Sequence, residues 1–215
     1  ITRACDRSSI SNANALDNGL DAINAFLEVA DEDYASKHAA GLMANVVAKG
    51  MNGRPKTVER ATNTALLLCE LEAFDVVVDA LVKGTTNKVP KLALAATDAI
   101  RAVVCEFGTP KVVNPKPILK GIAPLFDSKD AKIRGAAKDL TVELTRWLGQ
   151  GAVRRDLIDK MRGTMQAEVS AMIEQQSEEA NGAARPTRFT RKEQASGASS
   201  DPMDVDDDAT AGGDG

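Results

Sequence analysis

Apolar residues recur along this chain at spacings of three and four, the period of a helix with one buried face. Within residues 12–30, Leu16, Leu20, Ile23, Leu27 and Ala30 form such a stripe, and Ser11 with Asn12 supplies N-cap chemistry before it. A second stripe, Ala39, Leu42, Met43, Val46 and Val47, is stopped by Gly50, Asn52 and Gly53. Pro55 then opens a helix through Ala61, Ala65, Leu68 and Cys69, as proline does in a first turn. Further helices are predicted over 74–84, 90–107, 116–126, 130–148 and 153–176, joined by short polar turns. No sustained alternation of period two calls for a strand, so the predicted fold class is all-α.

The pattern also repeats itself. In NKVPKLALAATDAI (87–100) and SKDAKIRGAAKDLT (128–141), Lys88 falls on Lys129, Lys91 on Lys132, Leu92 on Ile133, and Ala95-Ala96 on Ala136-Ala137. That offset is 41 residues. Earlier, in GRPKTVERATNTA (53–65), Pro55-Lys56 falls on Pro90-Lys91 and Ala61 on Ala96, an offset of 35. Gly19 stands 42 residues before Ala61 and continues the series. A small residue thus recurs where two helices must approach closely. Periods of 35–42 residues with two helices each predict an α-solenoid of HEAT-like helical hairpins.

Composition sharpens the picture. Aromatic residues are 3% of the chain, so any core is assembled from many small aliphatic contacts. The net charge of −4 conceals two different parts. Residues 177–215 hold nine acidic and four basic side chains, a net −5, which leaves +1 for residues 1–176. The expected organisation is a HEAT-repeat domain over 1–176 and a disordered charged linker over 177–215. Within that tail, ARPTRFTRKEQ (184–194) is basic and DPMDVDDDA (201–209) acidic. No apolar run is long enough for a transmembrane helix, and no signal peptide opens the chain.

Catalytic chemistry is not expected. FGTPKVV (107–113) lacks the ending of a phosphate-binding loop, and His38 is the only histidine, so a nucleophile would have no partner base. Cys5, Cys69 and Cys105 form no metal-ligand pair and read as reduced thiols. No cofactor or metal is expected. What does stand out is charge at equivalent turns: Arg54 and Lys56, then Lys88 and Lys91, then Lys129, Lys132 and Arg134. In stacked hairpins these positions line up along one edge and form a basic ridge suited to an acidic protein surface. Nucleic acid is disfavoured by the scarcity of stacking aromatics and the near-neutral balance of residues 1–176. Lys49 and Lys120 fall outside the matched turns and are expected on the opposite edge. A general HEAT or armadillo adaptor is the alternative, although no Asn or Trp ladder for a groove-bound peptide is found.

The segments SNANALDNGLDA (11–22), NGRPKTVERA (52–61), VKGTTNKVPKLALAA (82–96) and LFDSKDAKIRGAAKDLTVELTRWLG (125–149) resemble the first TOG domain of the multi-TOG microtubule polymerases, particularly the plant-type members. ARPTR (184–188) continues the likeness. The resemblance implies a tubulin-binding module of a cytoplasmic microtubule-assembly protein, acting at plus ends and in spindle organisation. Its partner would be αβ-tubulin, with neither nucleic acid nor membrane involved. By match, the contacting turns hold Ser11 and Asn12, then Arg54 and Lys56, Lys88 and Lys91, and Lys132 and Arg134. The family's domains open with a further repeat whose turn presents a tryptophan and a basic residue. This chain starts after that repeat, which implies uncovered apolar surface on its first helices. Trp147 does not match that position and is expected to pack in the core.

Overall fold

The computed structural model describes residues 13–109, 113–179 and 184–197, and within those residues there is no strand. Ten α-helices follow in order: α1 (Ala13–Leu27), α2 (Glu32–Asn45), α3 (Pro55–Glu70), α4 (Phe74–Thr85), α5 (Pro90–Phe107), α6 (Pro115–Ile122), α7 (Ala131–Leu148), α8 (Gln150–Asp156), α9 (Gly163–Glu179) and α10 (Arg191–Ala195). Helices α1, α3, α5, α7 and α9 pack in sequence as one layer, and α2, α4 and α6 form the second. The all-α hairpin solenoid read from the pattern is the observed architecture.

Three departures have local causes. α2 continues into a π-turn, Val46–Gly50, closed by the Met51 amide on the Val46 carbonyl at 3.1 Å. The segment predicted over 116–126 changes to a 3₁₀ turn at Ala123–Asp127, where Pro124 has no N–H to continue an α-helix. The helix predicted over 153–176 is two helices with a 3₁₀ turn, Ile158–Lys160, between them. Leu157 leaves helical geometry (φ −133°, ψ −57°), which lets Val153, Leu157 and Ile158 all enter the core.

Helices of the two layers meet at glycine and alanine. A Cβ added to Gly50 would lie 2.7 Å from the Cβ of Ala61, and one on Gly84 would lie 2.9 Å from that of Ala96. A methyl carbon has no rotamer by which to yield, so these contacts bring the backbones together. Around them Leu68, Leu81, Ile100, Ile118, Ile122 and Leu140 are fully buried.

Between α1 and α3 the contact is partly polar. Thr57 donates to Asp17 (2.5 Å), and seven residues further along each helix Thr64 donates to Asn24 (2.6 Å). Asn24 also donates to the Arg60 carbonyl at 3.2 Å. Leu20, Ile23 and Leu27 are buried, so the expected uncovered stripe on the first helix is absent at these positions; only Leu16 and Phe26 are half-exposed. The Thr57 hydrogen bond, with Arg54 beside it, holds the Asp17 carboxyl below its ordinary value of 3.8, against the opposing effect of desolvation.

The tail differs from expectation in part. α9 runs to Glu179, three residues past the predicted end of the domain. Residues 184–197, expected as disordered linker, have a defined course and end in α10 with a capping box between Thr190 and Glu193. Their order rests on charge pairs to distant helices, which a reading based on buried apolar area does not register. Residues 198–215 lie outside the described part of the chain.

Gly84→Ala should overfill the α4–α5 contact and cost about 1–2 kcal/mol, whereas Gly41→Ala, with nothing within 4 Å of its added Cβ, should be neutral or stabilising. Thermal melting of both variants checks the contrast. The depressed Asp17 pKa stabilises the fold at pH above its ordinary value, and that contribution is lost as pH falls through the folded-state value. Acid unfolding followed by circular dichroism should therefore be less pH-dependent below 3.8 in Asp17→Asn than in the parent.

Candidate interaction ridge

The turns that precede α3, α5, α7 and α9 all lie at one edge, because each odd helix starts there and runs to the opposite edge. Two of these turns are braced by short side chains. Asn87 accepts from the Val89 amide (2.9 Å), and Asp130 caps α7 by accepting from Lys132 N (2.8 Å). In the second of them Ser128 also accepts from the Asp130 amide at 3.2 Å. This bracing fixes the backbone from which Lys88, Lys91, Lys129 and Lys132 project.

Lys56, Lys91 and Lys132 each occupy the second position of their helix, α3, α5 and α7, and all three are exposed. Lys88 and Lys129 are exposed in the turns themselves. None of the three helices has an acidic residue in its first turn. The lysines therefore add to the positive ends of three aligned helix dipoles. No side-chain ion pair to any of these five lysines occurs among the described residues.

The two arginines of the predicted set are engaged. Arg54 pairs with Asp17 at 2.8 Å and donates to Asn14 at 2.5 Å, which ties the first turn to α1. Its side chain remains 49% exposed, so it can still face a partner. Arg134 is half-buried and donates to the carbonyls of Ser128 (2.8 Å) and Lys129 (3.1 Å). It shapes the third turn from within and presents little charge outward. Ser11 and Asn12 lie outside the described residues.

Sequence reasoning missed a fourth turn. Lys160 and Arg162 are exposed before α9, and Arg162 pairs with Asp127, at the end of the 3₁₀ turn before α7, at 2.9 Å. Reading 153–176 as one helix hid this turn; Gly163, a poor helix former, was the available signal. Lys49 is also placed differently from expectation. It belongs to the π-turn leading directly into the turn before α3, on the ridge edge. Lys120 sits in the last turn of α6, the end that leads into the 3₁₀ turn before α7.

Other candidate chemistry is distributed as structural material. His38 is exposed with its ring 4.6 Å from that of Tyr34. Cys69 is fully buried and Cys105 half-buried, and desolvation pushes both thiols up, away from the reactive thiolate. Trp147 packs over Gly108 (φ +79°), where a Cβ would lie 2.5 Å from the indole, and donates to Glu143 at 2.8 Å. It lies at the carboxyl end of α7, away from the ridge. Among the described residues no group of three metal-ligating side chains occurs, and no helix is long and apolar enough to cross a membrane.

The comparisons with known proteins agree with this architecture. A family model described as XMAP215/Dis1/CLASP, TOG domain, matches residues 9–173. Protein MOR1 of Oryza sativa subsp. japonica is 44% identical over 184 residues, covering 86% of this chain and 9% of that protein. Protein MOR1 of Arabidopsis thaliana is 41% identical over the same length, with the same coverage. Protein mini spindles of Drosophila melanogaster is 32% identical over 214 residues, covering 91% and 10%. The fold also matches a solved structure described as "Structural Basis of Tubulin Recruitment and Assembly by Microtubule Polymerases with Tumor Overexpressed Gene (TOG) Domain Arrays". That match has a TM-score of 0.77 and 22% identity over 94% of this chain and 43% of the other. The chain spans about a tenth of the length of the curated relatives. By the family match over most of its length and by these relatives, the chain belongs to the XMAP215/Dis1/CLASP family of TOG domains.

Proposed function

We propose that this chain binds soluble αβ-tubulin through the ridge, as one module of a cytoplasmic microtubule-assembly protein that works at plus ends and in the spindle. The observation that carries this reading is the second-position lysine of α3, α5 and α7, repeated at three helix starts with no side-chain ion pair among the described residues. Such an edge is electrostatically unfinished by itself and is completed by an acidic protein surface. The family resemblance and the solved TOG array identify tubulin as the acidic partner to test first. The contacting set is Lys56, Lys88, Lys91, Lys129 and Lys132, with Arg54 at one end. Arg134 positions the third turn. Ser11 and Asn12 belong to the set by resemblance alone.

The exposed part of this attraction acts within about 8–10 Å at physiological salt, so it governs encounter rate and partner choice. The Lys91→Glu, Lys132→Glu double variant should weaken tubulin binding at least tenfold, about 1.4 kcal/mol, with unchanged helicity. Lys37→Glu with Lys116→Glu makes the same change in net charge near the amino ends of α2 and α6, on the opposite edge. That control should keep near-parental affinity when both are titrated with labelled tubulin at low salt. Equal loss in both double variants would sink the ridge mechanism and leave only general attraction between charged proteins.

A further inference from the structure

At the edge opposite the ridge, two helices end on charges of the wrong sign. Glu70 is the last residue of α3, and Glu106 stands in the last turn of α5, where the helix dipole is negative and cations are preferred. Neither helix has a basic residue in its last turn. Isolated, both carboxylates destabilise the helices that hold them.

Residues 184–197 supply the missing cations. Arg188 bridges the two carboxylates, with Nε 2.6 Å from Glu70 and an NH1 contact of 3.1 Å to Glu106. The backbone amides of Thr187 and Arg188 both donate to the Glu106 carbonyl, at 2.9 and 3.0 Å. Three residues on, Arg191 donates to the Leu27 (2.6 Å) and Ala30 (2.5 Å) carbonyls at the end of α1. Lys192 reaches Glu32 at 2.7 Å and also pairs with Glu72. The strap therefore crosses the carboxyl ends of α5, α3 and α1 in that order, running back toward the amino-terminal repeat. Arg188 is 26% exposed, and Glu70 and Glu106 are 14% and 32% exposed, so these pairs are partly shielded from solvent and salt.

We propose that this back edge is a binding site for an extended basic segment of Arg-x-x-Arg-Lys spacing, filled in cis by the chain's own residues 184–197. The site exists independently of what the ridge binds. Its acidic residues come from three separate helix ends, so occupancy ties three repeats together at the edge away from the ridge. It also brings α10 beside the end of α1 and the start of α2.

The full chain serves for the test. Amide exchange at Thr187 and Arg188 should be at least tenfold faster in Arg188→Glu than in the parent, with exchange in α5 and α7 little changed. Adding Glu70→Arg to Arg188→Glu reverses the pair and should restore protection. A fluorescent peptide of residues 184–197 should bind the Arg188→Glu chain, whose site is vacated, at least tenfold more tightly than the parent. Equal exchange in parent and Arg188→Glu, or no recovery on charge reversal, would overturn the proposal. So would a peptide that binds both chains alike, or neither.

Discussion

A Cβ on Gly84 would stand 2.9 Å from that of Ala96, and one on Gly50 would stand 2.7 Å from that of Ala61. At that separation the backbones of the two layers are nearly in contact, and no larger side chain fits between them. With only 3% aromatic residues, the chain gains its cohesion from many short aliphatic contacts made possible by this closeness. The repetition of the small pair makes one hairpin stack on the next at the same depth. Successive turns then emerge at one edge, and a ridge exists only because they do. A bulkier residue at either glycine would disturb the spacing of those turns before it touched any of their charges.

Close apolar packing between alanine-rich helices leaves sliding along the axis weakly opposed, and the layer of odd helices handles this in two ways. Between α1 and α3, the Asp17–Thr57 and Asn24–Thr64 pairs are one heptad apart on both helices and so fix a single register. Further along the layer, Thr97 and Thr141 turn their hydroxyls back to Ala93 and Ala137 of their own helices, both at 2.8 Å. There the larger aliphatics, Ile100, Val104 and Leu140, set the register by shape. The polar seam also reaches the ridge, because Asp17 holds Arg54 as well as Thr57. Its protonation would loosen the first turn together with the first helix contact.

Much of the fold was legible because its causes are local. Pro55 and Pro90 mark helix starts, and the small residues at 61 and 96 mark close approaches. Offsets of 35 and 41 residues gave the repeat. The π-turn at Val46–Gly50 was not legible, since one extra residue at the end of a stripe leaves the apolar period almost unchanged. Arg134 read as a surface cation because nothing in its neighbourhood reveals that its guanidinium folds back onto Ser128 and Lys129. The strap was the largest omission. Its order comes from Arg188 meeting carboxylates 118 and 82 residues away, a relation without any local signature.

At both edges some charges of the odd helices oppose the dipoles of the helices that carry them. Lysines stand at the positive ends of α3, α5 and α7, and glutamates at the negative ends of α3 and α5. Each such placement costs roughly 0.3–1 kcal/mol at an exposed terminus. For the stability of α3 and α5 alone, the two sets would be exchanged. At the acidic edge the compensation is visible, since the strap's arginines sit where the dipoles call for cations. At the basic edge the five lysines form no side-chain ion pair among the described residues. The same rule that explains the filled edge is the ground on which the other is proposed as the one left for a partner. It also separates their roles, because a partner on the ridge does not compete with the strap for any side chain.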